Sequence, residues 1–265
     1  MSSDFVNLGG QRLFVDEAGD PSHPSLLCIH GLGGGGYFFS SLARAMQATR
    51  HVLCPDMPGS GLSPRSREPI TFDYVADVLA ELIDRKTTGH VALLGHSMGA
   101  IIGLKVYDRI PSRISSLVFV GGLPAPLPDA RTRQRERAAL VRSKGMLPVA
   151  PTIPPIVFAQ RSLSEMPDKV AMFQRLLAAS DAEGYAQTAI ALAEGSAENV
   201  VSKIKVPCLC LTGEEDRYAP PAAVRAFAQS IPGAVYHELP QCGHMPFFES
   251  RESFERIVRG FLLDR

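Results

Sequence analysis

Short, uniformly apolar runs alternate with longer stretches of helical spacing along most of this chain. The apolar runs, at residues 26–29, 52–54, 91–94, 117–120 and 206–211, are rich in Val, Ile, Leu and Cys, whereas 72–85 and 222–230 repeat their apolar positions at helical period. Strands that are apolar on both faces belong in a parallel sheet covered on both sides by helices. Ahead of this alternation, residues 5–15 predict a hairpin turning at Gly9-Gly10, a pair that accepts the positive φ of a tight turn. The pattern therefore predicts an α/β fold with a mostly parallel sheet, and the loops at the carboxyl ends of its strands form the binding crevice.

The alternation fails between about 123 and 200, where prolines such as Pro124, Pro126, Pro148, Pro154 and Pro155 cluster and no buried strand is evident. Helical spacing at 130–144, 169–179 and 185–194 predicts a small helical cap over the crevice. The expected division is a core of residues 1–122 and 204–265, with 123–203 as the cap insertion. Within the cap, Arg131, Arg133, Arg135 and Arg137 recur at period two. On a helix that period scatters charge around the axis, which predicts a solvated helix.

Candidate chemistry begins at Gly95-His96-Ser97-Met98-Gly99, between the apolar run 91–94 and the helical stretch 100–107. A sharp strand-to-helix turn needs side-chain-free positions two before and two after its serine, and it pushes the hydroxyl of Ser97 into the crevice. There the helix N-terminus favours developing negative charge. A serine needs a positioned base, usually a histidine held by a carboxylate. His244 qualifies, because it falls in a loop between the apolar stretch 234–239 and the terminal helix, whereas His96 is too near Ser97 in sequence to reach across a crevice. For the carboxylate, the run 206–211 leads directly to Asp216, with Glu214 and Glu215 as close rivals. The order Ser97, Asp216, His244 is that of the strand-turn-helix serine hydrolases. Backbone N–H groups of Met98, after the serine, and Leu32, in the glycine-rich stretch 30–36, are the expected donors to a tetrahedral oxyanion. A phosphate-cradling role for that stretch is disfavoured, because it lacks the GxxxxGK[ST] pattern.

These landmarks resemble the α/β-hydrolases of the large capped group: His30-Gly31, the turn 56–63, the pentapeptide 95–99, then 213–216 and Gly243-His244 match in order across nearly the whole chain. The resemblance implies an eight-stranded, mostly parallel sheet flanked by helices, with a helical cap after strand six and no cofactor. It also implies a structural role for Asp56. The segment 181–185 and the spacing of the last two motifs are most similar to 3-oxoadipate enol-lactonases and related carboxylesterases. The expected activity is hydrolysis of a small-molecule carboxylic ester or lactone. Families that this chain also resembles use the same triad to cleave the carbon–carbon bond of a vinylogous diketone, and a perhydrolase is a further alternative. A receptor that keeps the triad while binding a ligand and a partner protein is the alternative from another class. Serine at position 97 disfavours dehalogenase and epoxide hydrolase chemistry, which use Asp there.

Charge and composition narrow the partners. Lys and Arg number 27, as do Asp and Glu, so no basic excess marks the chain for nucleic acid or an anionic membrane. The longest apolar run, 91–104, contains His96 and Ser97 and falls short of the ~20 residues that span a bilayer. Asp4 near the start and five cysteines, an odd number placed mostly in apolar runs, predict a cytoplasmic protein with reduced core thiols. The expected pocket is apolar and modest. It is assigned to Tyr37, Phe38 and Phe39 beside the glycine stretch, His96, and the cap residues Met146, Ile153, Phe158 and Met172.

Overall fold

The computed structural model describes residues 1–263. Strands β1 (Ser2–Leu8) and β2 (Gln11–Ala18) pair antiparallel with Leu8 opposite Gln11, so Gly9 and Gly10 alone make the turn, at φ 51° and 94°. There follow β3 (Ser25–Ile29), α1 (Ser40–Met46), β4 (His51–Pro55), α2 (Phe72–Lys86), β5 (Val91–His96), α3 (Met98–Arg109) and β6 (Ile114–Val120). After the helices of the insertion come β7 (Cys208–Gly213), α10 (Pro221–Gln229), β8 (Val235–Leu239), α11 (Pro246–Glu249) and α12 (Arg251–Leu263). The eight strands form one sheet in the order β1-β2-β4-β3-β5-β6-β7-β8. Strand β2 is antiparallel to both its neighbours, and from β4 to β8 all pairings are parallel.

Alternate residues of the same strands feed two separate cores. Leu27, Leu93, Leu117 and Phe119 point to one face, where they pack with Leu79 of α2, Ile102 of α3 and Phe227 of α10. Leu26, Cys28, Leu94 and Val118 point to the other, against Leu42 of α1, Phe254 and Val258 of α12 and part of the insertion. This double burial is the reason these strands are apolar throughout. Helix α2 starts where Thr71 accepts a hydrogen bond from the Tyr74 N–H at 3.1 Å, and it ends on Arg85 and Lys86, which complement the helix dipole.

Six helices lie between β6 and β7: α4 (Pro128–Lys144), α5 (Pro154–Val157), α6 (Gln160–Glu165), α7 (Pro167–Ala178), α8 (Ala182–Glu194) and α9 (Glu198–Val201). The expectation of three long helices is met by α4, α7 and α8, and the proline-rich stretch between them adds short ones. Pro154 and Pro167 each open a helix, where the missing N–H leaves no bond unmade. Helices α4 and α8 are tied by Arg142 and Glu183 at 2.9 Å. All five cysteines are free and buried. Among the described residues, no helix is long and apolar enough to cross a membrane.

Candidate active site

Strand β5 ends at His96, and Ser97 makes the turn into α3 with φ 54° and ψ −117°, a conformation that L side chains rarely adopt. The flanking glycines are required sterically. A Cβ at Gly95 would lie 2.3 Å from the Gly99 carbonyl oxygen, and one at Gly99 would lie 2.2 Å from that of Ile29. The Ser97 N–H donates to the Val120 carbonyl at 2.9 Å, which locks the turn to the end of β6. Its side chain remains accessible from the cavity above the sheet.

Beyond β7, the Asp216 carboxylate is held by four groups. Oδ1 accepts from the backbone N–H of Tyr218 at 2.9 Å and of Ala219 at 2.8 Å, while Oδ2 lies 3.4 Å from the Thr212 hydroxyl and 2.8 Å from His244 Nδ1. With Nδ1–H donating to Asp216, the His244 Nε2 is left free to accept a proton. Both residues are buried. The end of β6 passes so close that a Cβ at Gly121, where φ is 52°, would lie 2.8 Å from Asp216 Oδ2 and 3.0 Å from His244 Nδ1. The rival carboxylates are engaged elsewhere: Glu214 accepts from the Gln241 N–H at 2.9 Å and Glu215 from the Gln160 N–H at 3.0 Å.

The loop that carries His244 is fastened from three sides. Its N–H donates to the Val157 carbonyl of α5 at 2.7 Å, and its own carbonyl accepts from His96 Nε2 at 2.9 Å. Burial, with His244 alongside, holds His96 well below the ordinary histidine value, so its ring is neutral. The buried Glu249 carboxylate accepts from the N–H groups of Gly243 and Met245, each at 3.0 Å, and of Ala159 in the insertion, at 2.7 Å.

Opposite Ser97 runs the glycine-rich stretch. A Cβ at Gly31 would come within 2.7 Å of His96 Nδ1 and 3.1 Å of Ser97 Cβ, so only glycine lets this backbone approach the serine. His30 donates from Nδ1 to the Gly31 carbonyl at 2.8 Å and accepts at Nε2 from the Met57 N–H at 2.9 Å. Burial lowers its pKa against the opposing pull of Asp56, consistent with a neutral ring that can accept. Asp56 accepts from the N–H groups of Gly36 at 2.7 Å and Leu62 at 2.8 Å, which is a loop-shaping role. Leu32 and Met98 line the cavity beside Ser97, and neither backbone N–H has an acceptor among the described residues.

That cavity, about 90 Å³, is walled by the sheet loops below and the insertion above. Of the expected pocket residues, Phe38, His96 and Ile153 line it together with Ser97 and His244. The others are placed elsewhere. Tyr37 and Phe39 flank Phe38 in a short 3-10 turn, so their rings leave in other directions: Tyr37 packs edge-on to Phe38 at 4.9 Å and Phe39 is buried in the core. Met146 and Phe158 are also core residues, with Phe158 edge-on to Phe173 at 5.4 Å. Met172 is 45% exposed, because the cavity face of α7 belongs to its neighbour Phe173 and to Leu177.

Sequence reasoning missed the polar wall of the cavity, formed by Gln134, Arg137, Tyr185 and Tyr218. The expectation of a solvated α4 holds for Arg133 and Arg135, which are exposed, but not for one face: Gln134, Ala138 and Val141 form a buried stripe on that helix, and Arg137 lies at its edge. The spacing 134, 138, 141 was the available signal. Arg131 is also occupied, donating to the Ala193 carbonyl at the end of α8 at 2.7 Å.

A strand-turn-helix serine, a buried Asp–His pair and an eight-stranded sheet with one antiparallel internal strand define a class. The chain belongs to the alpha/beta hydrolase fold family, whose pattern matches residues 24–250, and it is a hydrolase of that superfamily. It is 26% identical to 3-oxoadipate enol-lactonase 2 of Acinetobacter baylyi over 247 residues, 92% of this chain and 90% of the relative. The enol-lactonase from Burkholderia xenovorans LB400 superimposes with a TM-score of 0.92 at 25% identity, over 98% of this chain and 100% of that one. A thermophilic esterase from Thermogutta terrifontis shares the fold with the same TM-score, 0.92, at 23% identity, over 100% of this chain and 99% of its own.

Proposed function

We propose that this protein hydrolyses a small carboxylic ester or lactone through Ser97, His244 and Asp216, by way of an acyl-enzyme. One observation carries the reading: a serine at φ 54° shares a cavity with a histidine whose Nδ1 lies 2.8 Å from a buried carboxylate. In this mechanism His244 Nε2 takes the Ser97 proton as Oγ bonds to the carbonyl carbon. The N–H groups of Leu32 and Met98 stabilise the oxyanion, and the dipole of α3 adds to them. Collapse breaks the bond to the leaving oxygen, which receives the proton from His244. A water molecule, deprotonated in turn by His244, attacks the acyl carbon and releases the acid and free Ser97. Asp216 keeps the imidazole in one tautomer and supports its transient positive charge. No cofactor enters this cycle.

The helical insertion acts as the cap that closes the crevice and supplies its upper wall. The cytoplasm is the compartment we assign, supported by five unpaired buried thiols, which a reducing environment preserves. Intact mass after exposure to a fluorophosphonate tests the chemistry. One stoichiometric adduct is expected on the native protein and none on Ser97→Ala or His244→Ala; an unmodified native protein overturns the reading. A panel of esters, enol-lactones and vinylogous diketones then separates the activities, and cleavage of the diketones alone would replace ester hydrolysis with carbon–carbon hydrolysis.

A further inference from the structure

Arg137 stands out among the cations of this chain by what surrounds it. Elsewhere Arg109, Arg113, Arg142, Arg161 and Arg225 each pair with a carboxylate. The Arg137 guanidinium instead meets two phenols: it donates to the Tyr218 hydroxyl at 2.9 Å and interacts electrostatically with Tyr185. Among the described residues it has no ion pair, and no Asp or Glu lines the cavity that it shares with Ser97 and His244.

A cation drawn out of water without a counter-charge is expensive, and a phenol does not neutralise it. The phenols do favour the charge: burial works against it, but Tyr185 and Tyr218 outweigh burial and hold Arg137 above its ordinary value. Burial also raises Tyr185 against the pull of Arg137, so that phenol stays protonated and neutral. One turn before Arg137 on the same face of α4 lies Gln134, only 4% exposed, whose Oε1 has no hydrogen-bond partner although its side chain also faces the cavity. Gln134 Oε1 is an acceptor and offers nothing to an anion, whereas Arg137 is a permanent positive charge with donors beyond the one given to Tyr218.

We infer that the substrate carries a carboxylate apart from its scissile ester or lactone group, and that Arg137 binds this carboxylate. The planar guanidinium fork matches a carboxylate in two parallel hydrogen bonds, a geometry that neither phenol offers. Arg137 and Ser97 line the same cavity, so one small substrate can meet both. This inference rests on the proposed hydrolysis for its kinetic form, but the binding site stands independently of it.

The test uses matched ester pairs in a pH-stat: monomethyl and dimethyl glutarate, monomethyl and dimethyl adipate, and 3-acetoxypropanoate against its methyl ester. These place the carboxylate on the acyl or the alcohol side. For at least one pair the native protein should favour the carboxylated member by about tenfold or more in kcat/KM. In Arg137→Met that ratio should fall toward unity, and Arg137→Lys should restore part of it, which excludes a merely structural effect. A native preference for every neutral ester, or a ratio that Arg137→Met leaves intact, overturns the inference. Calorimetric titration of Ser97→Ala with glutarate and adipate separates it from the reaction. Binding that disappears in Ser97→Ala/Arg137→Met supports the carboxylate site even if no ester turns over. Absence of binding together with hydrolysis of neutral esters alone leaves the proposed function and removes this inference.

Discussion

The backbone N–H of His244 donates to the carbonyl oxygen of Val157, 2.7 Å away. A residue that carries the proposed proton transfer is thereby fastened to α5 of the insertion and not only to the sheet. Glu249 doubles the connection by accepting N–H bonds from both sides of this junction, Ala159 on one and Gly243 and Met245 on the other. The insertion is therefore anchored at its middle as well as at the two points where the chain enters and leaves it.

Removing that carboxylate should be costly. Glu249→Ala leaves three buried N–H groups unpaired, each worth about 1–3 kcal/mol. Urea denaturation should show a loss of at least about 3 kcal/mol, with Glu249→Gln recovering part of it through its remaining carbonyl oxygen. Native-like stability in Glu249→Ala would refute the anchoring role.

Ser97 stores backbone strain at φ 54°, and two replacements separate strain from chemistry. Neither Ser97→Ala nor Ser97→Gly should hydrolyse esters or accept a fluorophosphonate. Glycine adopts this conformation freely, so Ser97→Gly should be more stable than Ser97→Ala by about 1 kcal/mol in thermal or chemical denaturation. Equal stabilities would mean that the turn costs nothing.

Asp216→Asn should keep the fold, because the asparagine oxygen can still accept from Tyr218 and Ala219. Its amide, however, presents N–H to His244 Nδ1 and favours the wrong tautomer. We expect kcat to fall by about 10³–10⁴-fold with little change in Tm. A loss smaller than tenfold would remove Asp216 from the mechanism.

Stability should also fall in mild acid. His30 and His96 are both held below the ordinary value of 6.5, chiefly by burial, so in the window between their folded values and 6.5 the unfolded chain binds protons that the folded one does not. Unfolding free energy therefore declines as pH drops through that window, by up to about 1.4 kcal/mol per pH unit for each histidine, and levels off above it. Urea titrations at several pH values would measure the slope. His96→Gln should make it shallower by one histidine's share, and an unchanged slope would exclude His96 as a source.

The frame of the molecule was legible because its causes are local. Residues 26–29, 91–94 and 117–120 had to be strands covered on both faces, and Gly95 and Gly99 leave room that no side chain would. Asp216 and His244 could be paired from their places in two loops beyond strand ends; the structure puts them 2.8 Å apart. What the sequence concealed is direction. Tyr37, Phe38 and Phe39 are equivalent as letters, yet the 3-10 turn sends only Phe38 to the cavity. The arginine series of α4 reads as solvated until α8 is packed against one side of the helix, and only then is Arg137 turned toward the pocket while Arg142 reaches Glu183. Such orientations depend on partners distant in sequence, which local periodicity does not encode.

The buried thiols have a practical consequence. Burial pushes Cys208 up to about 12 and raises Cys28, Cys210 and Cys242 as well, so these sulfurs carry almost no thiolate at neutral pH and a maleimide cannot reach them. A cysteine introduced at Leu147, 77% exposed just beyond α4, would be the one reactive thiol on the described surface. The wild-type background thus already serves as a cysteine-less scaffold for fluorescence or spin labelling, and movement of the insertion against the sheet can be followed in real time without first stripping the protein of its own sulfur.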